Sequence, residues 1–228
     1  MIRSLLRPDR RRSRLAEQAP PGPVRDYLAT PLPGPRTAVE DLRLLAVDIE
    51  TTGLDPRTDH ILSVGFLPLD GLVIDLSGAT HLLCRADAEV GQSAVVHGIT
   101  DDALAAGLPL SEVVERVAAA LQGRVLLAHH AAIETEFLSA ASRGTHGVPF
   151  PVEVVDTMDL QARVLGSHTG ADLPPGALRL ATARAHLGLP RYGAHEALTD
   201  ALACAELYLA QVARLSGGRA MVLKALQR

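Results

Sequence analysis

The chain has 228 residues, 47% of them hydrophobic and 21% charged, an ordinary balance for one soluble domain with a sizeable core. No apolar run approaches the roughly 18 residues a membrane span needs, so a membrane role is excluded at this stage. Net charge is −4, but residues 1–14 hold six Arg against one Asp; the remainder carries −9, which excludes a general nucleic-acid coat. Local phosphodiester binding stays open if the acids hold metal ions. Cys84 and Cys204 lie far apart and form neither a zinc pair nor a redox motif. They read as small core residues in a reducing compartment, so a cytoplasmic location is expected, and the Arg-rich start does not read as a secretory signal.

Residues 1–40 read as an Arg/Pro-rich extension. The prolines between Ala19 and Pro35 favour extended linker, with Val24–Leu28 as a short packing element. The arginines fit a solvated tail or a nucleic-acid arm. A domain over 41–215 begins with an apolar strand at Leu44–Val47 that runs into Asp48-Ile49-Glu50. His60–Leu69 and Leu72–Leu76 read as strands joined at Asp70-Gly71, and His81–Arg85 as another or a continuation. Thr100 is placed to cap a short helix over 101–106, and Ser111 a stronger one with Val113, Val114, Val117, Ala118 and Leu121 on one face. Then strands at Val125–Ala128 and Val152–Val155 alternate with helices over 131–142, 157–164, 178–187 and 196–215. Residues 216–228 form a short tail. Hairpins followed by strand–helix alternation predict an α/β fold with a mixed, partly antiparallel sheet and helices on its faces.

Three stretches carry chemistry. In Asp48-Ile49-Glu50-Thr51-Thr52-Gly53-Leu54-Asp55, residues two apart on a strand point the same way, so Asp48 and Glu50 are neighbours. Two such carboxylates repel unless a cation or a shared proton intervenes, and hard oxygen ligands suit Mg²⁺ or Mn²⁺. Gly53 permits close approach of a substrate. In the second stretch, His129-His130-Ala131-Ala132-Ile133-Glu134, a strand ends and a helix starts with Glu134 in its first turns. In the third, His195 and Asp200 are five apart and converge only if His195 sits in the loop before the helix. A His beside metal-bound carboxylates can take a proton from water. Taken singly, each stretch also fits solvated acids, a helix-dipole acid or a surface His.

In order and spacing, these stretches resemble the three exonuclease motifs of the DnaQ-like (DEDDh) 3′–5′ exonucleases. Asp48-Ile49-Glu50-Thr51-Thr52-Gly53 matches the first motif, and His195 with Asp200 matches the His-x4-Asp of the histidine branch. Val96-His97-Gly98-Ile99-Thr100 and Val155-Asp156-Thr157 resemble secondary signatures of the family. The second motif departs from the usual His-Asn-x-x-Phe-Asp: His130 stands where the family has Asn, and Glu134 where it has Asp.

The resemblance implies a ribonuclease H-like, five-stranded mixed sheet and a phosphodiesterase using two Mg²⁺ or Mn²⁺ ions. Asp48 would bridge both ions, Glu50 and Asp200 would complete the first, Glu134 would support the second, and His195 would be the general base. Thr51, Thr52, Gly53 and Leu54 would line the terminal-nucleotide pocket, with His97 and Ile99 on the same wall. The implied reaction releases nucleoside 5′-monophosphates from single-stranded or frayed 3′ ends, with DNA favoured over RNA. Alternatives are an RNA or short-oligoribonucleotide 3′ exonuclease and a catalytically weak module that binds nucleic-acid ends. A homodimer is left open without a visible interface pattern. Polymerase association lacks support, because little sequence follows Leu215. Aromatic content of 3% with no Trp argues against long stacking tracks.

Overall fold

Strand β1 (Arg43–Thr51) lies at the middle of the sheet in a computed structural model that describes residues 7–85, 101–167, 169–193 and 196–227. It pairs antiparallel along its whole length with β2 (Ile61–Asp70) and parallel with β5 (Val125–Ala128), which pairs parallel with β6 (Val154–Asp156). On the outer edge of β2, β3 (Val73–Ile74) pairs with Leu69 and Asp70, and β4 (Thr80–Leu83) with Ser63–Phe66. Six strands therefore occupy five positions, in the mixed arrangement the sequence predicts. The second strand of the hairpin is shorter than expected over Leu72–Leu76. Asp75 accepts hydrogen bonds from the Ser77 amide and hydroxyl and turns the chain into a 3₁₀ turn at Leu76–Gly78.

Alternation along the strands divides the core between two faces. Leu45, Val47, Ile49, Leu126 and Ala128 face helices α4 (Leu110–Ala120) and α5 (Ala132–His146). Leu44, Ala46, Val125 and Leu127 face α6 (Thr157–Val164) and α8 (Ala197–Ser216). Helices α3 (Asp101–Ala105) and α7 (Leu180–His186) are short. Helix α4 starts one residue before Ser111, with Pro109 at its N-cap position and no side-chain cap, so Ser111 does not cap it.

The N-terminal segment is not the extended linker that its prolines suggest. Residues Arg7–Gln18 form α1 and Pro23–Ala29 form α2, with Pro23 at the first helical position, where its missing N–H costs nothing. The arginine run does not simply trail in solvent. Arg12 is buried, donates to the Tyr27, Thr30 and Pro151 carbonyls, and lies 4.4 Å over the Tyr27 ring. Tyr27 is fully buried, stacks on Phe150 with centroids 4.5 Å apart, and donates its hydroxyl to the Pro151 carbonyl at 2.8 Å. Val24, Tyr27 and Leu28 thereby join the core over α4. The chain after Ser216 also packs down: α9 (Leu223–Leu226) buries Leu223 and Leu226, and Lys224 and Leu223 donate backbone hydrogen bonds to Pro35 and Thr37. Both cysteines are buried and free. Among the described residues, no helix is long and apolar enough to cross a membrane.

Candidate active site

The face of β1 that carries Leu44 and Ala46 continues into Asp48 and Glu50 at the strand's end. A bulge between Glu50 and Thr51 then breaks the register with β2. Across from Asp48 stands Gly65. A Cβ there would lie 2.1 Å from the Leu198 amide nitrogen and 2.2 Å from the Ala197 carbonyl carbon. The backbone at the start of α8 thus rests on the sheet, and Asp200, in the first turn of α8, reaches the β1 carboxylates. Asp48, Glu50 and Asp200 each offer an oxygen, all within 4.8 Å of one another. Hard oxygen donors at this mutual distance fit a divalent cation of the Mg²⁺ or Mn²⁺ type.

Electrostatics supports the same fit. Burial, then the charges of Glu134, Glu50 and Asp200, hold the Asp48 carboxyl well above the usual carboxylate range. Glu134, from the first turn of α5, stands outside the three-carboxylate set, yet its charge is the strongest of the three acting on Asp48. It is 3% exposed, its Oε2 has no hydrogen-bond partner, and burial pushes its pKa up to about 8, with Asp156 and Glu50 adding to the effect. A cation or a proton is what such a group lacks.

A pH dependence follows. Glu134 holds its proton up to about pH 8 in the metal-free folded chain, against an ordinary value of 4.5. The folded state therefore binds more protons between these values. Glu134's contribution to stability should fall as pH rises through that window, by at most one proton's worth, about 1.4 kcal/mol per pH unit, and level off above it. Glu134→Gln should remove that slope, read as the difference in urea midpoint between the two proteins across the window in EDTA. The half-buried His129 acts in the opposite sense at lower pH and is common to both, as is Asp48, whose carboxyl is raised in the same direction as that of Glu134.

The loop after β1 is organised by Asp59, which the sequence reading passed over. Its carboxylate accepts from the Thr52 hydroxyl at 3.2 Å and the Asp55 amide at 2.8 Å. The Thr52 hydroxyl accepts from the His60 amide, and the Thr51 hydroxyl donates to the Gly53 carbonyl. A Cβ on Gly53 would lie 2.5 Å from Asp59 Oδ2, so glycine lets the loop close on this carboxylate. Leu54 at the tip is 78% exposed. Thr51, Thr52, Gly53 and Leu54 therefore border the carboxylates in one fixed turn. An Asp at the foot of a strand, a few residues after Thr-Thr-Gly, was the available signal.

At the β5–α5 junction the histidines are structural. His129 Nε2 lies 2.7 Å from the Leu178 carbonyl, which can only accept, so Nε2 carries the hydrogen. Burial pushes the ring's pKa down, and Nδ1 lies 2.8 Å from the Thr157 hydroxyl, which also donates to the Ala128 carbonyl at 3.1 Å. Asp156 caps α6 through the Met158 amide and also accepts from the His130 and Ala131 amides, fixing the turn that delivers Glu134. His130 has φ +72°, a left-handed conformation that Asn adopts more readily than most residues, which accounts for Asn at this place in the family pattern. His130→Val should cost about 1–2 kcal/mol in thermal unfolding, and His130→Gly much less.

His195, His97 and Ile99 lie outside the described residues. Asp48, Glu50 and Asp200 are brought together, with Glu134 beside them. Glu136 and Glu196 are exposed.

A sequence profile of the RNase_T exonuclease family matches residues 45–208. The chain is 31% identical over 177 residues to DNA polymerase III subunit epsilon of Treponema pallidum, covering 76% of this chain and 78% of that one. It is 27% identical over 175 residues to the PolC-type DNA polymerase III of Thermotoga petrophila, covering 76% of this chain but 12% of the polymerase. Among solved structures, E. coli exonuclease I in complex with a dA16 oligonucleotide superposes with a TM-score of 0.65 at 16% identity, over 76% of this chain and 41% of that chain. The chain thus spans under half of exonuclease I and a small part of the polymerase. At that identity the structural likeness shows the fold, which is ribonuclease H-like.

Proposed function

The chain belongs to the exonuclease family, and from that premise we propose that it is a divalent-metal-dependent 3′–5′ exonuclease. It hydrolyses the terminal phosphodiester of a single-stranded or frayed nucleic-acid end and releases nucleoside 5′-monophosphates, with DNA favoured over RNA. The observation that carries the reading is the convergence of Asp48, Glu50 and Asp200 within 4.8 Å. Asp48, Glu50 and Asp200 would hold Mg²⁺ or Mn²⁺, and Glu134, with Asp48, a second such ion. When bound, such ions neutralise charge on the phosphate and ease ionisation of water.

The chain's own residues do the rest. The 51–54 turn seats the terminal nucleotide, with Leu54 against the base and the Thr51 and Thr52 backbone at the sugar. The family resemblance would put His97 and Ile99 on the same wall. His195 takes the proton of the attacking water. The water oxygen bonds to the terminal phosphorus, the bond from phosphorus to the preceding 3′ oxygen breaks, and that oxygen takes up a proton as a new 3′ hydroxyl.

Competition between matched DNA and RNA strands in Mg²⁺, Mn²⁺ or EDTA tests the substrate class. Faster loss of DNA is expected. Faster loss of RNA would make the chain an RNA or short-oligoribonucleotide 3′ exonuclease. A second reading, an end-binding module with weak catalysis, is favoured by one observation, the position of Glu134 outside the three-carboxylate set. In that case the wild type would bind strands without shortening them, and Glu134→Asp would gain activity.

A further inference from the structure

Helix α7, the 189–192 segment and the start of α8 enclose a groove of about 720 Å³ that none of the motifs accounts for. Its size falls within the roughly 300–1,000 Å³ of ordinary ligand sites. Asp200, one of the three clustered carboxylates, stands in its wall. Three arginines line it: Arg179, Arg184 and Arg191.

These arginines differ in kind. Arg184 is 3% exposed and fixed: it donates to the Ala203 carbonyl at 2.7 Å, the Pro190 carbonyl at 2.9 Å and Glu206 at 2.8 Å. Its guanidinium lies 4.5 Å from the centroid of the Tyr192 ring, and Tyr192 donates its hydroxyl to Glu206. Glu206 balances its charge, so the Arg184–Glu206–Tyr192 unit is a rigid wall that sets the path of residues 190–192. Arg179 precedes α7 and Arg191 follows it. Both are exposed, and neither has a carboxylate partner among the described residues. Two cations without a carboxylate partner among the described residues therefore line a groove that also holds Asp200, in a chain that carries −9 outside residues 1–14.

Resting on the exonuclease reading, we propose that this groove is the track for the phosphodiester backbone upstream of the scissile bond. Arg179 and Arg191 contact successive phosphates, and Arg184 acts as a positioning residue that holds Arg191 in place. The ligand class is a single-stranded polynucleotide. Arginine meets phosphate in bidentate fashion, and the Arg184 bond to the Pro190 carbonyl fixes the backbone from which Arg191 projects.

The test compares wild type, Arg179→Ala/Arg191→Ala and Arg179→Lys/Arg191→Lys on two substrates. One is a 5′-labelled strand of about ten nucleotides, within the usual site size for such tracks. The other is the p-nitrophenyl ester of thymidine 5′-monophosphate, which has no upstream phosphate. The alanine pair should lower the ratio of kcat/KM for the strand over that for the ester about tenfold, mainly through KM. The lysine pair should recover most of it. The salt dependence of strand binding should become shallower by about 0.7 in log–log slope per arginine removed. An unchanged ratio would overturn the proposal. Wild type inactive on both substrates would sink the exonuclease reading instead. In that case fluorescence anisotropy of the labelled strand in EDTA decides: about tenfold weaker binding by the alanine pair sustains the track, and equal binding overturns it.

Discussion

Asp48→Asn should lower phosphodiester hydrolysis by about 10³-fold or more while raising the melting temperature of the metal-free protein. The two effects share one cause. Asp48 is partly buried at the end of β1, and burial together with the charges of Glu134, Glu50 and Asp200 holds its carboxyl well above its ordinary range. In the absence of a cation that arrangement is destabilising, and a neutral amide of the same shape relieves it. A rise of about 2–4 °C is expected for each kcal/mol relieved in a chain of this size. The amide also removes the anionic oxygen on which the cluster depends, and losses of 10²–10³-fold are typical when a single charge-stabilising group is taken from a site. Calorimetry in EDTA and initial rates in Mn²⁺ read the two halves separately. A fall in both melting temperature and activity would mean that Asp48 is a structural acid.

Gly65→Ala is the second large effect, and it acts through the packing of α8 on the sheet, not by removing a reacting group. The added Cβ would sit 2.1 Å from the Leu198 amide nitrogen, 2.2 Å from the Ala197 carbonyl carbon and 2.5 Å from the Ala197 carbonyl oxygen. All three are backbone atoms, so no side chain can swing aside. Helix α8 must lift from the sheet or β2 must bend, at a cost of about 3 kcal/mol. That corresponds to roughly 6–12 °C in melting temperature. Lifting α8 carries Asp200 away from Asp48 and Glu50, so activity should fall at least 10²-fold even at temperatures where the variant is folded. Retention of full activity by a folded Gly65→Ala would show that the approach of α8 to β2 does not set the site.

Gly65 also marks how far the sequence could be read. Strand β1 and its two carboxylates were legible because an apolar run ends in acids two residues apart. Helix α6 was legible at its start because Asp156 and Thr157 follow an apolar strand. A glycine inside the apolar run Ile61–Leu69 was visible too, and interior strand glycines often mark close backbone approach. What approaches it, the N-terminal backbone of α8, is a contact between residues far apart in sequence, which no local pattern specifies. The N-terminal helices were missed for a similar reason. Pro20, Pro21, Pro23, Pro31 and Pro33 argue locally for extended chain, but burial of Tyr27 against Phe150 and the Arg12 hydrogen bonds are tertiary contacts that override that preference. Asp59 was overlooked because its partners, Thr52 and Asp55, are joined to it by a turn whose closure depends on Gly53. The arginine-lined groove beside α7 likewise assembles residues 179, 184, 191 and 200 from three separate segments.

The most direct test of the account is the fate of a 5′-labelled single strand incubated with wild type and with Asp200→Ala, in Mg²⁺, in Mn²⁺ and in EDTA. The account predicts a ladder that shortens from the 3′ end in either metal, stops in EDTA and is absent with Asp200→Ala, with nucleoside 5′-monophosphate as the released product. A ladder that persists in Asp200→Ala or in EDTA, or an intact strand under every metal, would contradict it.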